Sequence, residues 1–234
     1  MKAYLEPDEV ERLEAAATCY RDKLLVRTLF WGSMRVSEAI GINVEDIDFD
    51  GRTVTITHEK VRLRLHCPDC NTRLSKSAKF CPGCGQEVPE PLKKQQETRR
   101  VRTIPLDATT LELFQYFIQR SKHIQRDGGK GPIFRIERHT AYKIIRGCAE
   151  RAGLGKLVNP ETGREHNVSP HRLRDASATM LAKADGSTDG LRMLQERLGH
   201  DDIGTTMRYR KVGGQEQREW FDKLTGNSEE SAVP

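Results

Sequence analysis

The side chains best suited to phosphate chemistry lie in the last third of the chain. Residues 169–174 read SPHRLR, so that His171 and Arg174 are three positions apart and would share one face of a helix. Ser169 and Pro170 are typical of a helix start, where the aligned peptide dipoles add a positive field. An imidazole, a guanidinium and a helix N-terminus brought together would form a site for a phosphate group.

A second string, LGHDDIGTTMRY at residues 198–209, places His200 and Tyr209 nine residues apart across a break between helices. A tyrosine hydroxyl can act as a nucleophile, and a histidine can donate a hydrogen bond to a phosphate. Each string also has a simpler explanation when it is taken alone. A His-x-x-Arg pair is usually a surface pair on a helix, and a helical tyrosine is usually half-buried core.

Four cysteines form two Cys-x-x-Cys pairs, Cys67 with Cys70 and Cys81 with Cys84, with ten residues between the pairs. Four thiolates in this arrangement fit one tetrahedral Zn²⁺ ion, and four sulfur ligands leave no open position for catalysis. The sequence therefore predicts a structural zinc, which would supply the folding energy of a segment too short for its own core. Two disulfides are the alternative, although a reducing compartment disfavours them.

The net charge of +5 over 234 residues is unevenly distributed. Between Lys60 and Arg102 there are eleven basic and four acidic side chains, so the remaining chain is slightly acidic. Such a basic block indicates a polyanion, most simply nucleic acid, but a solvated lysine-rich hairpin would have the same composition. No apolar run is long enough for a membrane span, and the charged N-terminus does not look like a secretory signal. We therefore expect a cytoplasmic, nucleoid-associated protein with no membrane partner.

Helices dominate the elements that would position these side chains. The predicted helices cover residues 7–18, 21–31, 35–40, 108–120, 139–151, 170–184, 190–198, 202–210 and 214–224. Two strands, at residues 52–57 and 99–104, would form a hairpin that encloses the four-cysteine segment. Residues 154–168 are expected to be loop. Cys19 and Cys148 would be small core residues within helices.

In this order, the strings resemble the tyrosine recombinase (phage integrase) family. Its HxLR pattern matches residues 171–174, and its LGH…TT…Y pattern matches residues 198–209. The string GSMRVSE at residues 32–38 resembles the TGxRxSE string of the family and contains Arg35. The predicted hairpin, which ends in Ile-Pro-Leu at residues 104–106, is similar to the family hairpin that ends in a Pro-Leu step. The resemblance covers roughly residues 5–211.

The resemblance implies that the chain cuts and rejoins DNA through a 3′-phosphotyrosine, without ATP or a catalytic cofactor. Tyr209 would be the nucleophile, and Arg35 and Arg174 would stabilise the charge of the pentacoordinate transition state. His171 would act as a general base or acid, and His200 would donate a hydrogen bond to the scissile phosphate.

In this family a hairpin lysine protonates the leaving 5′-oxygen. Lys60 is the first candidate for that acid, and Lys93 and Lys94 are the alternatives, because the inserted segment makes the alignment ambiguous. Asp175 stands where many members carry histidine, which we expect to be a tolerated change next to the site. Candidate DNA contacts outside the catalytic set are Arg62, Arg64, Lys93, Lys94 and Arg172.

The expected fold is α+β and mainly α-helical, with a small antiparallel β-hairpin sheet and an inserted zinc ribbon. The catalytic domain would cover residues 1–224, the zinc-ribbon insertion residues 61–97, and a disordered tail residues 225–234. Most family members carry a separate helical domain that clamps DNA, and the 34 residues before Arg35 are too few for it. We therefore expect either a catalytic-domain fragment or a minimal member of the family.

The resemblance implies a homotetramer on paired sites of double-stranded DNA, and a monomer is possible without DNA. Trp220, Phe221 and Leu224 would share one helical face. The resemblance implies that this face docks on a neighbouring protomer, and packing on the core of its own chain is the alternative. Two other functions are alternatives: a recombinase-derived DNA-binding regulator that no longer cuts, and a relaxing enzyme similar to type IB topoisomerases.

Overall fold

The structure is a computed structural model that describes residues 3–159, 162–210 and 221, with the backbone but not the side chains of residues 58–63 and 95–100. The helices are α1 (Pro7–Ala15), α2 (Tyr20–Phe30), α3 (Val36–Ile40), α4 (Ala108–Arg120), α5 (Lys122–Arg126), α6 (Arg138–Arg151), α7 (Pro170–Ala184), α8 (Thr188–Leu198) and α9 (Ile203–Met207), with a 3₁₀ turn at Val44–Asp46. The strands are β1 (Ile47–Asp48), β2 (Thr53–His66), β3 (Arg73–Leu74), β4 (Leu92–Pro105), β5 (Leu157–Val158) and β6 (Glu165–His166). The predicted mainly helical α+β architecture is confirmed.

The chain divides into two compact units. The main unit comprises Met1–Val54 and Ile104–Pro234, and the insert unit comprises Thr55–Thr103. The insert unit is longer than the predicted insertion of residues 61–97, because strands β2 and β4 extend well beyond the segments at 52–57 and 99–104. The predicted tail at residues 225–234 lies outside the described residues.

Helix α2 forms the centre of the main unit. Its residues Leu24, Leu25, Leu29 and Phe30 are fully buried, and it packs against α1, α4 and α7. A second apolar cluster joins α7 to α8 through Ala178, Ala182, Leu191, Leu194 and Leu198. Burial of these side chains is the dominant favourable contribution to the folding of the unit.

Local capping chemistry determines where several helices begin and end. The carboxylate of Asp107 accepts a hydrogen bond from the backbone N–H of Thr110 at the start of α4, and the hydroxyl of Ser169 accepts one from Arg172 at the start of α7. Gly199 ends α8 in the left-handed region at φ 62°, a conformation that costs glycine little. The predictions of helices at 108–120 and 170–184 are confirmed to the residue.

The main sheet has four strands. β2 pairs antiparallel with β1, with Ile47 opposite Val54, and with β3, with Leu65 opposite Leu74, and it also pairs with β4. The insert unit has a small core of Cys67, Leu74, Cys81 and Val88, with Leu65 and Ala78 packed against it.

Three sequence predictions were wrong in detail. The segment 154–168 is not all loop, because β5 and β6 form an antiparallel pair within it. Helix α9 ends at Met207, so Tyr209 lies in the following turn rather than in a helix. Cys19 is exposed at the N-cap of α2, whereas Cys148 is buried in α6 as expected. In the described part of the chain, no helix is both long and apolar enough to cross a membrane.

Candidate active site and cysteine cluster

Glu38 holds the two arginines of the predicted site. Arg35 is the N-cap residue of α3, and its backbone N–H and its Nη1 donate to the two oxygens of the Glu38 carboxylate, each at 2.8 Å. The Nη1 atom of Arg174 lies 3.6 Å from Glu38 Oε2. The Glu38 side chain is 1% exposed, so one buried carboxylate orients both guanidinium groups.

Arg174 is almost fully enclosed, with 4% of its side chain exposed. Its Nη1 donates to the carbonyl of Ser33 at 2.6 Å, and its Nη2 donates to the carbonyl of Leu198 at 2.5 Å. Ser33 has φ 51°, and its hydroxyl lies 2.6 Å from the hydroxyl of Ser177 on α7. These contacts connect α7 to the ends of α2 and α8 and fix the guanidinium in one orientation.

The first turn of α7 presents His171 and Arg172 on either side of Asp175. Arg172 Nη1 donates to Asp175 Oδ2 at 3.1 Å, and His171 Nε2 lies 3.6 Å from the same oxygen. The His171 side chain is 67% exposed, in contrast to Arg174 one turn later. The two residues were predicted to share one face of a helix. In the structure both belong to α7, but His171 is largely exposed and Arg174 is buried.

His200 and Tyr209 lie side by side around α9. The left-handed Gly199 turns the chain out of α8, and His200 Nδ1 lies 2.9 Å from the hydroxyl of Thr206 in α9. The rings of His200 and Tyr209 are stacked, with centroids 6.2 Å apart and an interplanar angle of 14°. The Tyr209 ring also packs on the apolar cluster between α7 and α8.

The hydroxyl of Tyr209 donates a hydrogen bond to Asp175 Oδ1 at 3.0 Å. Burial and the negative charge of this carboxylate raise the pKa of Tyr209 to about 12, although the positive charges of Arg174 and Arg35 oppose the shift. At neutral pH the phenol is therefore protonated.

One cleft of about 1190 Å³ is lined by the predicted catalytic side chains and by Asp175: Arg35, His171, Arg174, Asp175, His200 and Tyr209. Its lining includes six basic side chains, Arg35, Arg138, Arg172, Arg174, Lys183 and Arg208, and the only carboxylate among the described lining residues is Asp175. Such an excess of positive charge within one concave surface suits a phosphate backbone. The sequence analysis did not single out Arg138, Lys183 or Arg208. Arg138 and Lys183 belong to no motif, and Arg208 lies in the string at residues 198–209 at a position to which no role was given.

The four cysteines of the insert unit converge. Their sulfur atoms all lie within 4.8 Å of one another, with Cys67 and Cys84 3.7 Å apart and Cys70 and Cys81 3.4 Å apart. The structure holds them as thiols rather than disulfides.

Both Cys-x-x-Cys turns are built in the same way. The carbonyl of Cys67 accepts a hydrogen bond from Asn71, and the carbonyl of Cys81 accepts one from Gly85. Asn71 and Gly85 are both left-handed, at φ 59° and 75°, and Asn and Gly are the residues that adopt this region most readily. Gly83 N also donates to Cys81 Sγ at 3.3 Å.

The remaining predicted residues belong to the insert unit and to the segment after Arg210. Lys60 and Arg62 belong to β2, in the part of that strand whose side chains are not described. Lys93 is exposed, and the Lys94 ammonium donates to Asn71 Oδ1 at 2.6 Å within the insert unit. Arg64 is half-buried. In the segment after Arg210 the described residue is Phe221, which is helical and exposed, whereas Trp220 and Leu224 lie outside the described residues.

Comparison with known proteins identifies relatives of this chain. The model of the phage integrase family matches residues 3–216. Tyrosine recombinase XerD of Corynebacterium glutamicum is 25% identical over 205 residues, which are 85% of this chain and 51% of that protein. The chain thus spans about half the length of curated relatives that it matches.

Solved structures share the fold. The Tn1549 transposon integrase in complex with transposon right end DNA has a TM-score of 0.59 at 17% identity, over 96% of this chain and 66% of that chain. The catalytic domain of bacteriophage HP1 integrase has a TM-score of 0.51 at 21% identity and is covered over the full length of both chains. The fold is therefore that of a tyrosine recombinase catalytic domain.

Proposed function

Because the chain belongs to the phage integrase family, we propose that it cuts and rejoins DNA strands at specific sites through a covalent bond to Tyr209. One structural observation supports this proposal most directly. Five side chains predicted to act on a phosphodiester, which are spread over residues 35 to 209, line a single basic cleft: Arg35, His171, Arg174, His200 and Tyr209. The relative named above from Corynebacterium glutamicum is a tyrosine recombinase, and the Tn1549 integrase structure is that of a complex with DNA.

The two arginines would bind the scissile phosphate. A guanidinium carries its donors in a planar fork that matches phosphate oxygens and keeps its charge at every physiological pH. Glu38 and the backbone carbonyls hold Arg174 in place before substrate arrives, so little reorganisation would accompany the reaction. Preorganised donors of this kind stabilise the charge that develops in the transition state.

The histidines would complete the phosphate site. His200 is oriented by the hydroxyl of Thr206, and we assign to it a hydrogen bond to a non-bridging oxygen. His171, exposed at the mouth of the cleft, would contact the phosphate and take part in proton transfer. Lys60 remains our proposal for the acid that protonates the 5′-oxygen, with Lys93 and Lys94 as the alternatives.

Covalent trapping would test the reaction. A pool of nicked duplexes with randomised flanks releases a short strand after cleavage, so the protein–DNA bond cannot be reversed. We expect wild-type protein to form an adduct on a subset of the pool, Tyr209→Phe to form none, and Tyr142→Phe, which changes another tyrosine of the cleft, to react as wild type. An adduct with Tyr209→Phe, or none with wild-type protein, would refute the assignment.

We further propose double-stranded DNA as the partner and a homotetramer on paired sites as the assembly. A reaction that exchanges strands between two duplexes uses four cleavages, and each protomer here has one nucleophile in its cleft. Such a protein would work in the cytoplasm with the nucleoid. Light scattering of the trapped complex would give the number of protomers, and two protomers per pair of duplexes would contradict the tetramer.

The cysteine cluster fits a structural zinc ion, which Cys67, Cys70, Cys81 and Cys84 would hold. A tetrahedral site with Zn–S bonds of 2.3 Å has sulfur–sulfur edges of about 3.8 Å. The Cys70–Cys81 and Cys67–Cys84 sulfur pairs, at 3.4 and 3.7 Å, lie close to that value. The ion would supply folding energy to the insert unit, whose own apolar core is small.

Metal analysis would test this proposal without reference to activity. We expect one zinc per chain in the purified protein and none in the double variant Cys67→Ser/Cys81→Ser. The control Cys19→Ser, which changes an exposed cysteine outside the cluster, should keep its zinc. Purified wild-type protein without zinc would contradict the site.

A further inference from the structure

Asp175 is the side chain that contacts the predicted nucleophile directly. Its Oδ1 atom accepts the hydrogen bond from the Tyr209 hydroxyl at 3.0 Å. Its Oδ2 atom accepts from Arg172 Nη1 at 3.1 Å and lies 3.6 Å from His171 Nε2. The two oxygens of the carboxylate therefore have different partners. Oδ1 accepts the hydrogen bond of the phenol, and Oδ2 contacts cationic groups of the same helix.

This geometry meets the first requirement for a general base. A base must lie within about 2.6–3.2 Å of the atom whose proton it takes. The Arg172 contact fixes the carboxylate, which is 19% exposed, so that the lone pairs of Oδ1 point at the phenol. His171, the residue to which the family resemblance gives the base role, is 67% exposed and has Asp175 as its described charged neighbour.

We propose that Asp175 is a catalytic residue that accepts the phenolic proton of Tyr209 when the tyrosine attacks DNA. The inference rests on the proposed function. In the step, the Tyr209 oxygen forms a bond to phosphorus while its proton moves to Asp175 Oδ1. The bond between phosphorus and the 5′-oxygen breaks, and the leaving oxygen takes a proton from the general acid. Religation returns the proton from Asp175 to Tyr209.

The charges around Tyr209 favour transfer of its proton to Asp175 during the attack on phosphorus rather than before it. An ionised phenol beside an ionised carboxylate is costly, and burial adds to that cost. Proton transfer to Oδ1 removes the carboxylate charge at the moment when negative charge passes to the phosphorus centre. The charged and titratable groups that face this pair are Arg35 before α3, His171, Arg172 and Arg174 on α7, and His200 before α9.

The test compares Asp175→Asn with wild type on the nicked substrates over a range of pH. The amide can still accept the hydrogen bond of Tyr209, but it cannot take the proton. We expect cleavage at pH 7 to fall by about 10²–10⁴-fold, the usual contribution of general base catalysis. We also expect the rate of the variant to rise about tenfold per pH unit, because the phenol must then ionise first. Asp185→Asn, an exposed change at the end of α7, should leave the rate unchanged.

Two further measurements separate a chemical role from a structural one. Asp175→Glu keeps a proton acceptor, so its pH dependence should resemble that of wild type even if its rate is lower. In the DNA-free proteins, the pKa of Tyr209 measured by NMR should be lower in Asp175→Asn than in wild type. Thermal unfolding and non-covalent DNA binding would confirm that each variant is folded.

The outcomes distinguish this inference from the proposed function. If wild-type protein forms no adduct, the proposed function fails first. If wild-type protein forms the adduct and Asp175→Asn cleaves as fast or faster, the proton-acceptor role alone is wrong. A defect of the same size at every pH would also overturn it, since that result indicates positioning without proton transfer.

Discussion

Replacing Glu38 with glutamine tests whether the buried carboxylate holds the two arginines. In the structure its oxygens accept two hydrogen bonds from Arg35, and one oxygen lies 3.6 Å from Arg174 Nη1. Glutamine keeps the shape and one acceptor oxygen but removes the negative charge. Arg174, 4% exposed, then has no formal counter-charge at this position, and an uncompensated buried charge is strongly destabilising.

The expected loss in the free energy of unfolding follows from the burial of Arg174. Breaking one partner of a buried ion pair costs about 3–5 kcal/mol, and the retained acceptor oxygen places Glu38→Gln at the lower end, about 3 kcal/mol. For a unit of this size that loss lowers the melting temperature by about 6–12 °C. Trp31 follows α2 in the main unit, and the sequence of the insert unit contains no tryptophan, so tryptophan fluorescence during heating does not report on the insert unit.

A matched control makes the comparison specific. Glu150→Gln removes the same charge from an exposed i,i+4 pair with Arg146 on α6, which contributes about 0.3–0.5 kcal/mol. We expect its melting temperature to stay within about 2 °C of wild type. If Glu38→Gln melts no lower than Glu150→Gln, the carboxylate does not hold the arginines as the structure indicates.

Two further predictions concern groups that support the site. Ser177→Ala removes one hydroxyl of the buried pair with Ser33 and should lower the free energy of unfolding by about 1–2 kcal/mol in urea titrations, whereas an unchanged midpoint would contradict the pairing. For Asp107, burial alone would raise the pKa, but hydrogen bonds from Thr110 and the charge of Arg27 lower it below its ordinary value. Its contribution to stability is then present above the pKa of the unfolded chain and is lost as the pH falls through the lower folded value. The difference in melting temperature between wild type and Asp107→Asn should therefore shrink from pH 7 to pH 3, and a constant difference would refute the linkage.

The parts of the fold that local chemistry determines could be predicted from the sequence. Asp107 and Ser169 are capping residues followed by amphipathic segments, and the helices that they begin were predicted to the residue. The spacing of the four cysteines likewise predicted their convergence, because each pair lies within one tight turn. The helix starts depend on residues a few positions apart, and the cysteine cluster depends on residues at most 17 positions apart.

Contacts between distant segments could not be predicted in this way. Asp175 was expected to be a tolerated change, yet it lies against Tyr209, 34 residues away in the chain. Arg174 is held by carbonyls of Ser33 and Leu198, and backbone groups leave no signature in a sequence. The one available signal for Asp175 was its position four residues after His171, on the same helical face as the predicted base.

The resting state of Tyr209 explains why a nucleophile can remain in an open basic cleft. With a pKa of about 12, only about one phenol in 10⁵ is ionised at pH 7, so the free protein has almost no reactive phenolate. In the proposed reaction, a bound phosphodiester brings an electrophilic phosphorus atom to a phenol already hydrogen-bonded to Asp175. The phenol of Tyr209 then loses its proton while its oxygen bonds to phosphorus, so that deprotonation occurs only when DNA occupies the cleft. Burial and the Asp175 carboxylate together raise the pKa of the nucleophile at rest, and the same carboxylate would accept its proton during attack.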